Sequence, residues 1–189
     1  VHEQEMDSPI FDNIENLRPV IPTGSSDSAA LDSVFELLNV SGQPAPLAKL
    51  MLVPDAWSKK SKTLSKDHRK LFNFLNSTME PWDGPAAIAG TDNEWVIAAT
   101  DRNGLRPMRF TITKDKILCA GSETGMVELD EKKIVSKGRL GPGEIIGVRI
   151  EKGKVFTNSQ IKDYLAREYK HFNNQIIESE SLEDYHIIR

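Results

Sequence analysis

The chain is 189 residues long, 39% hydrophobic and 28% charged, with a formal net charge of −4 at pH 7. That is enough for one globular domain, with or without a tail, and for a substantial core. The acidic balance disfavours nucleic acid and anionic membrane surfaces as partners, and no apolar run approaches the roughly 20 residues that span a bilayer.

Residues 1–25 are punctuated by Pro9, Pro19, Pro22 and Gly24 and read as a connecting segment that leans on the fold after it. The stretch is acidic and has no signal-peptide core, so the expected compartment is the cytosol or an organelle interior. Asp27 stands where a helix N-cap belongs, ahead of Leu31, Val34, Phe35 and Leu38 at helical spacing, which predicts a helix over 28–40. Pro46 to Leu52 reads as a short second helix that Pro54 stops. The polar, basic run 58–63 predicts an exposed loop. Ser65 then caps a third helix to Met79, with Leu71, Phe72, Leu75 and Met79 as its buried stripe.

After Met79 the period changes from helical to alternating. Ala86–Thr91 and Trp95–Thr100 flank Asp92-Asn93-Glu94 as a hairpin, and Arg109–Thr113 and Ile117–Ala120 form another around Lys114-Asp115-Lys116. Glu144–Ile150 and Lys154–Thr157 make a third around Glu151-Lys152-Gly153. Ser159 opens a closing helix to about Tyr169, and a polar tail follows. Helices succeeded by antiparallel hairpins define an α+β fold. The expected division is a connecting segment over 1–25, a domain over 26–170 and a polar tail over 171–189.

Three segments are too specific in residue type for generic loops. In Ser26-Asp27-Ser28-Ala29, the Asp27 carboxylate at a helix start either caps the helix, worth about 1 kcal/mol, or faces a ligand ammonium. In Met79-Glu80-Pro81-Trp82-Asp83-Gly84-Pro85-Ala86, the prolines end the helix and aim the next strand, Trp82 is expected in the core, and Glu80 and Asp83 on backbone groups or arginines. In Asp101-Arg102-Asn103-Gly104-Leu105-Arg106-Pro107, Asn103-Gly104 supplies a tight turn and Pro107 keeps Arg106 extended. Arg102 and Arg106 are expected to pair with Asp101 or Asp83 and buttress this corner. Ser122–Gly125 and Gly138–Glu144 read as further turns. The latter is no phosphate loop, since no helix follows and the required lysine and hydroxyl are missing. Cys119, the one cysteine, excludes an intrachain disulfide or a multi-cysteine metal or iron–sulfur site. It lies in the apolar stretch 117–120 with no histidine nearby and reads as a buried, inert thiol. The histidines at 2, 68, 171 and 186 show no metal-ligand spacing.

In this order, from about Ser25 to Ile161, these segments resemble the glutaminase domain of the glutamate synthases, a branch of the class II, N-terminal-nucleophile (Ntn) glutamine amidotransferases. Met79–Ala86 matches that family's Met-Glu-Pro-Trp-Asp-Gly-Pro-Ala stretch, and Asp101–Pro107 is similar to the Asp-Pro-x-Gly-x-Arg-Pro loop of other class II members. Gly138–Gly143 resembles a Gly-Arg-Leu-x-Pro-Gly turn, and Pro54-Asp55-Ala56-Trp57 a Pro-Glu-Ala-Trp run. The resemblance implies part of an Ntn-hydrolase α/β/β/α sandwich and glutamine as substrate. It implies that Asp27 binds the α-amino group of glutamine, with Asp101, Arg102, Gly104 and Arg106 in a structural loop near the site.

The family's nucleophile is an N-terminal cysteine whose own α-amine is the general base, whereas this chain begins Val1-His2-Glu3. The nucleophile, the arginine that holds the substrate carboxylate and the Asn-Gly of the oxyanion hole are therefore expected outside this chain, and Asn103-Gly104 is not that pair. The chain alone is expected to be inactive and to hold no metal or cofactor. For the parent enzyme the resemblance implies FMN and an iron–sulfur cluster, with an NADPH-dependent small subunit or ferredoxin as electron source. The remaining domains of the synthase would be partners, in the cytoplasm or a plastid. The alternative is a non-catalytic binding or scaffold module that keeps Asp27.

Overall fold

The structure, a computed structural model, describes residues 13–55 and 65–169. Among them are helices α1 (Asp27–Val40), α2 (Ala45–Leu52), α3 (Lys66–Thr78) and α4 (Asn158–Glu168). The strands are β1 (Ala87–Thr91), β2 (Trp95–Thr100), β3 (Arg109–Thr113), β4 (Leu118–Gly121), β5 (Ile134–Arg139), β6 (Ile145–Arg149) and β7 (Lys154–Phe156). They form two antiparallel sheets, β1-β2-β6-β7 and β4-β3-β5. The α+β expectation holds, with all four helices and three hairpins where periodicity puts them. The basic loop over 58–63, the tail over 171–189, residues 1–12, and Ala56 and Trp57 lie outside the described residues.

Alternation along the central strands divides the core in two. Trp95, Ile97, Ala99 and Ile145 face the helices and join a cluster with Val34 and Leu38 of α1, the whole of α2's apolar surface, Leu71, Phe72 and Leu75 of α3, and Ile161 and Leu165 of α4. Ala98 and Ile146, on the opposite face, pack with Met108, Leu140 and Phe110 toward the second sheet. The layers run helices, sheet, sheet. α2 is buried at every position, Lys49 included, and it lies under β2 as the centre of the helical layer.

Local chemistry fixes the element ends. In the β1–β2 turn, Asp92 Oδ1 accepts the amides of Glu94 (2.9 Å) and Trp95 (2.6 Å), and Asn93 takes the positive φ of 72° that asparagine tolerates. Asp92 Oδ2 also accepts the Ala45 amide, the first donor of α2, which Pro44 cannot cap with a side chain. Ser65 caps α3 as expected, its Oγ accepting the His68 amide at 3.1 Å. At α1 the structure corrects the expectation by one residue. Ser26 is the N-cap, extended at φ −67° and ψ 160°, with its Oγ accepting the Ala29 amide at 3.2 Å. Asp27 is the first helical residue, where its charge still favours the helix dipole.

β5 is absent from the sequence reading, which kept Gly138 and Arg139 within a turn. The strand pairs with β3, Phe110 opposite Gly138 and Ile112 opposite Ser136. Its half-buried position 138 is glycine rather than an apolar side chain, because the Phe110 ring occupies the space above it. A Cβ at Gly138 would lie 2.4 Å from Phe110 Cζ. Gly138→Ala is expected to cost about 1–3 kcal/mol by overpacking, and clearly less in a Phe110→Leu background. Urea unfolding of the two single variants and the double variant measures this, and equal costs in both backgrounds would refute the steric account.

Candidate functional site

Two connections carry the chain between the sheets among the described residues: 101–108 from β2 to β3, and 140–144 from β5 to β6. Both motif loops of the sequence are these crossings, and they lie side by side at one end of the sandwich. Gly143 donates its amide to the Asp101 carbonyl (2.9 Å), and Thr100 Oγ1 donates to the Gly141 carbonyl (2.6 Å). Leu140 N–H reaches Met108 O at 2.8 Å, and Glu144 Oε2 accepts the Gly141 amide at 2.7 Å. Gly104, at φ +64°, packs so close that an added Cβ would stand 3.0 Å from Pro142 Cα.

Asp101 is 1% exposed, and its carboxylate accepts four backbone amides. Oδ1 takes Arg106 (3.0 Å) and Ala86 (3.3 Å), and Oδ2 takes Asn103 (3.1 Å) and Leu105 (3.1 Å). Burial alone pushes this carboxyl up, but the four N–H groups outweigh it and hold the pKa below its ordinary value. The expected arginine pairs do not form. Arg102 and Arg106 are exposed, and among the described residues neither has an ion pair with Asp101 or Asp83. The reason is competition at the carboxylate, since a loop that curls around Asp101 delivers amides to all of its lone-pair sites. Asp83 is likewise exposed and has no arginine ion pair among the described residues.

Met79–Ala86 bridges this hub to α1. Trp82 is buried, as expected, with its amide donating to the Leu52 carbonyl (2.7 Å) and its indole Nε1–H to the Asp27 carbonyl (2.9 Å). Four residues later, the Ala86 carbonyl accepts the Asp101 amide (3.0 Å) while the Ala86 amide donates to Asp101 Oδ1. The structure therefore brings the Asp27 turn, Trp82 and the Asp101 loop to one end of the molecule. Asp27 itself is exposed, with Oδ1 accepting the Ser28 amide at 2.8 Å. Beside it runs a cleft of about 370 Å³ between α1, α2 and β1. Leu31, Phe35, Leu52 and Ile88 give it apolar walls, and Ser28 and Asp32 supply polar groups. Cys119 stands apart, on β4 of the second sheet, and is half-buried rather than fully buried.

Sequence reasoning missed Lys49, which borders the same cleft. Its Nζ donates to the Gly143 carbonyl at 2.7 Å while the side chain is 1% exposed. The signal was a lone lysine within the apolar run Ala45-Pro46-Leu47-Ala48-Lys49-Leu50-Met51-Leu52. Desolvation lowers its pKa from 10.5 to about 8, the Asp55 carboxylate opposing and the Lys162 ammonium adding to the shift. Lys162 and Asp55 form a buried ion pair alongside.

The sign of the stability effect follows. Below about pH 8 both folded and unfolded chains hold the Lys49 proton. Between about 8 and 10.5 only the unfolded chain does, so stability rises with pH across that window, by on the order of 3 kcal/mol in full. The unfolding free energy of the wild type minus that of Lys49→Met should therefore climb from pH 7.5 to pH 10. A difference that stays flat would show an unperturbed lysine.

With the geometry in place, comparison with known proteins identifies the family. The family model for class-II glutamine amidotransferases matches residues 1–174. The glutamate synthase [NADPH] large chain of Azospirillum brasilense is 51% identical over 166 residues, 87% of this chain and 11% of that protein. The corresponding large chain of Bacillus subtilis is 35% identical over 168 residues, 88% of this chain and 11% of its own length. Ferredoxin-dependent glutamate synthase 2, chloroplastic, of Arabidopsis thaliana is 40% identical over 167 residues, 87% of this chain and 10% of that protein. The chain thus spans about a tenth of the length of the curated relatives it matches. No helix among the described residues is long and apolar enough to cross a membrane. The chain belongs to the class-II glutamine amidotransferases, and its homologues within that family are glutamate synthases.

Proposed function

We propose that this chain is the glutamine-recognising part of a glutaminase domain that hydrolyses glutamine to glutamate and ammonia. It would act within a glutamate synthase polypeptide that spends the ammonia on 2-oxoglutarate. The observation that carries the reading is the Asp27 carboxylate. Exposed at the first position of α1, it accepts the Ser28 amide on Oδ1 and stands beside the cleft along α1 and β1. In this role it binds the α-ammonium of glutamine. The α1 dipole opposes a cation there by about 0.3–1 kcal/mol, which a charge-assisted hydrogen bond of about 1.5–3 kcal/mol exceeds.

The nucleophile, its α-amine base and the oxyanion donors come from elsewhere in the polypeptide, so the isolated chain has no glutaminase activity. FMN and the iron–sulfur cluster belong to other parts of it as well, since a single cysteine cannot supply the several thiolates that a cluster needs. Whether electrons arrive from an NADPH-dependent small subunit or from ferredoxin is decided outside these residues, and relatives of both designations each match over 87% of the chain. The compartment is the cytoplasm, or a plastid in a photosynthetic eukaryote.

Asp27→Asn in the full-length polypeptide tests the assignment. The substitution keeps volume and one acceptor but deletes the charge, and Ser26 remains as the cap, so the melting temperature should change little. Glutamine-dependent kcat/KM should fall by 30-fold or more, matching roughly 2–5 kcal/mol for losing one partner of a buried charge pair. Ammonia-dependent glutamate formation bypasses the site and should persist. A variant that lowers both activities together with the melting temperature would make Asp27 a structural residue.

A further inference from the structure

Trp82 makes three contacts that together reach further than core packing. Its amide ties the segment after α3 to the end of α2 through the Leu52 carbonyl. Its indole ring packs against Gly84, where a Cβ would stand 2.7 Å from Cη2, so the chain folds back over the ring on its way to β1. Its Nε1–H donates to the main-chain carbonyl of Asp27, 55 residues earlier. An indole N–H can only donate, and a buried one is costly to leave unpaired. The Asp27 carbonyl is the acceptor this residue takes. α1 begins at an exposed turn whose other fixings are local: Ser26 Oγ on Ala29 and Asp27 Oδ1 on Ser28. Among the described residues the indole is the hydrogen bond that ties this turn to a segment distant in sequence, and Ala86 connects that same segment to the Asp101 hub.

We propose that Trp82 is a positioning residue for substrate recognition: its indole N–H fixes the Asp27 main chain so that the free carboxylate oxygen, Oδ2, is held toward the substrate ammonium. The inference rests on the reading of Asp27 as the glutamine-binding carboxylate. Trp82 touches no substrate in this arrangement and acts through Asp27 alone. A purely structural Trp82 would stabilise the fold without selecting for glutamine over ammonia as nitrogen donor.

The test is a double-mutant cycle on the full-length polypeptide with Trp82→Phe, which keeps an aromatic ring and deletes the donor, and Asp27→Asn. Trp82→Phe is expected to raise KM for glutamine about 3- to 10-fold, the scale of one lost hydrogen bond, with ammonia-dependent turnover unchanged. In the Asp27→Asn background the same substitution should add nothing. If Asp27→Asn weakens glutamine binding and Trp82→Phe does not, or if the two effects multiply independently, Trp82 does not position Asp27 and the proposal fails alone. If Asp27→Asn leaves glutamine kinetics untouched, the glutamine reading of Asp27 fails first and takes this one with it. Should Trp82→Phe not fold, benzothienylalanine at position 82 replaces only the N–H by sulfur and gives the same comparison.

Discussion

One carboxylate organises this end of the molecule. Asp101 leaves β2 at the point where the chain must cross from one sheet to the other, and its side chain collects the amides of Ala86, Asn103, Leu105 and Arg106. Three of those amides belong to a loop too tightly curled to satisfy them with its own carbonyls, and orphaned buried N–H groups are costly. Its main-chain carbonyl meanwhile takes Gly104 and Gly143, the second of these from the returning crossover. A neutral side chain offers fewer acceptor sites than the hub uses. The charge is therefore structural, and its burial is tolerated because every lone-pair direction is met.

The same logic explains the cation behind the hub. Lys49 is carried into the core by a helix that is otherwise wholly apolar, and its ammonium meets the Gly143 carbonyl, a group already committed to the crossover through its own amide. Asp101 and Asp55 lie close enough to raise its pKa, yet desolvation wins and lowers it to about 8. Buried charges are weak contributors to net stability but strong determinants of register, since breaking one partner is far costlier than the pair is favourable. Here the register in question is that of the two crossovers, and through Ala86 and Trp82 it extends to the start of α1.

Much of this was legible from residue order. Hairpins declared themselves because period-two runs were broken by short triplets rich in Asp, Asn, Lys and Gly, and α1 and α3 because their apolar stripes followed capping residues, read as Asp27 and Ser65. What was not legible depended on partners distant in sequence. β5 carries Gly138 against Phe110, and nothing local reveals that this ring fills the space the glycine leaves. The cap of α1 fell to Ser26 rather than Asp27 because both residues can cap, and only backbone angles choose between them. The arginines of the Asp101 loop were expected to neutralise an aspartate beneath them, a reasonable prior for a buried carboxylate that failed because the backbone arrived first. Lys49 and the Trp82–Asp27 bond needed three dimensions, since each joins segments more than 50 residues apart.

The exposure of Asp27 bears on how the proposed recognition of glutamine would work. Two opposite charges about 4 Å apart attract by about 1 kcal/mol in water and about 4 kcal/mol at the effective dielectric of a protein surface site. A free amino acid also carries a carboxylate, which an exposed aspartate repels, so a lone solvated Asp27 would select poorly among zwitterions. Discrimination needs the ammonium end to lose water while it meets the carboxylate. The chain supplies half of that condition. The α1 terminus is fixed from behind by Trp82, the Ser28 amide holds one carboxylate oxygen, and the cleft beside it is walled by Leu31, Phe35 and Ile88. On the proposed reading the other half would be a cover over the mouth of the cleft, for which relatives about ten times longer have ample chain. On the proposed reading of Asp27 and Trp82, affinity for glutamine would be a property of the closed domain, and these residues would contribute the direction from which the charge is presented.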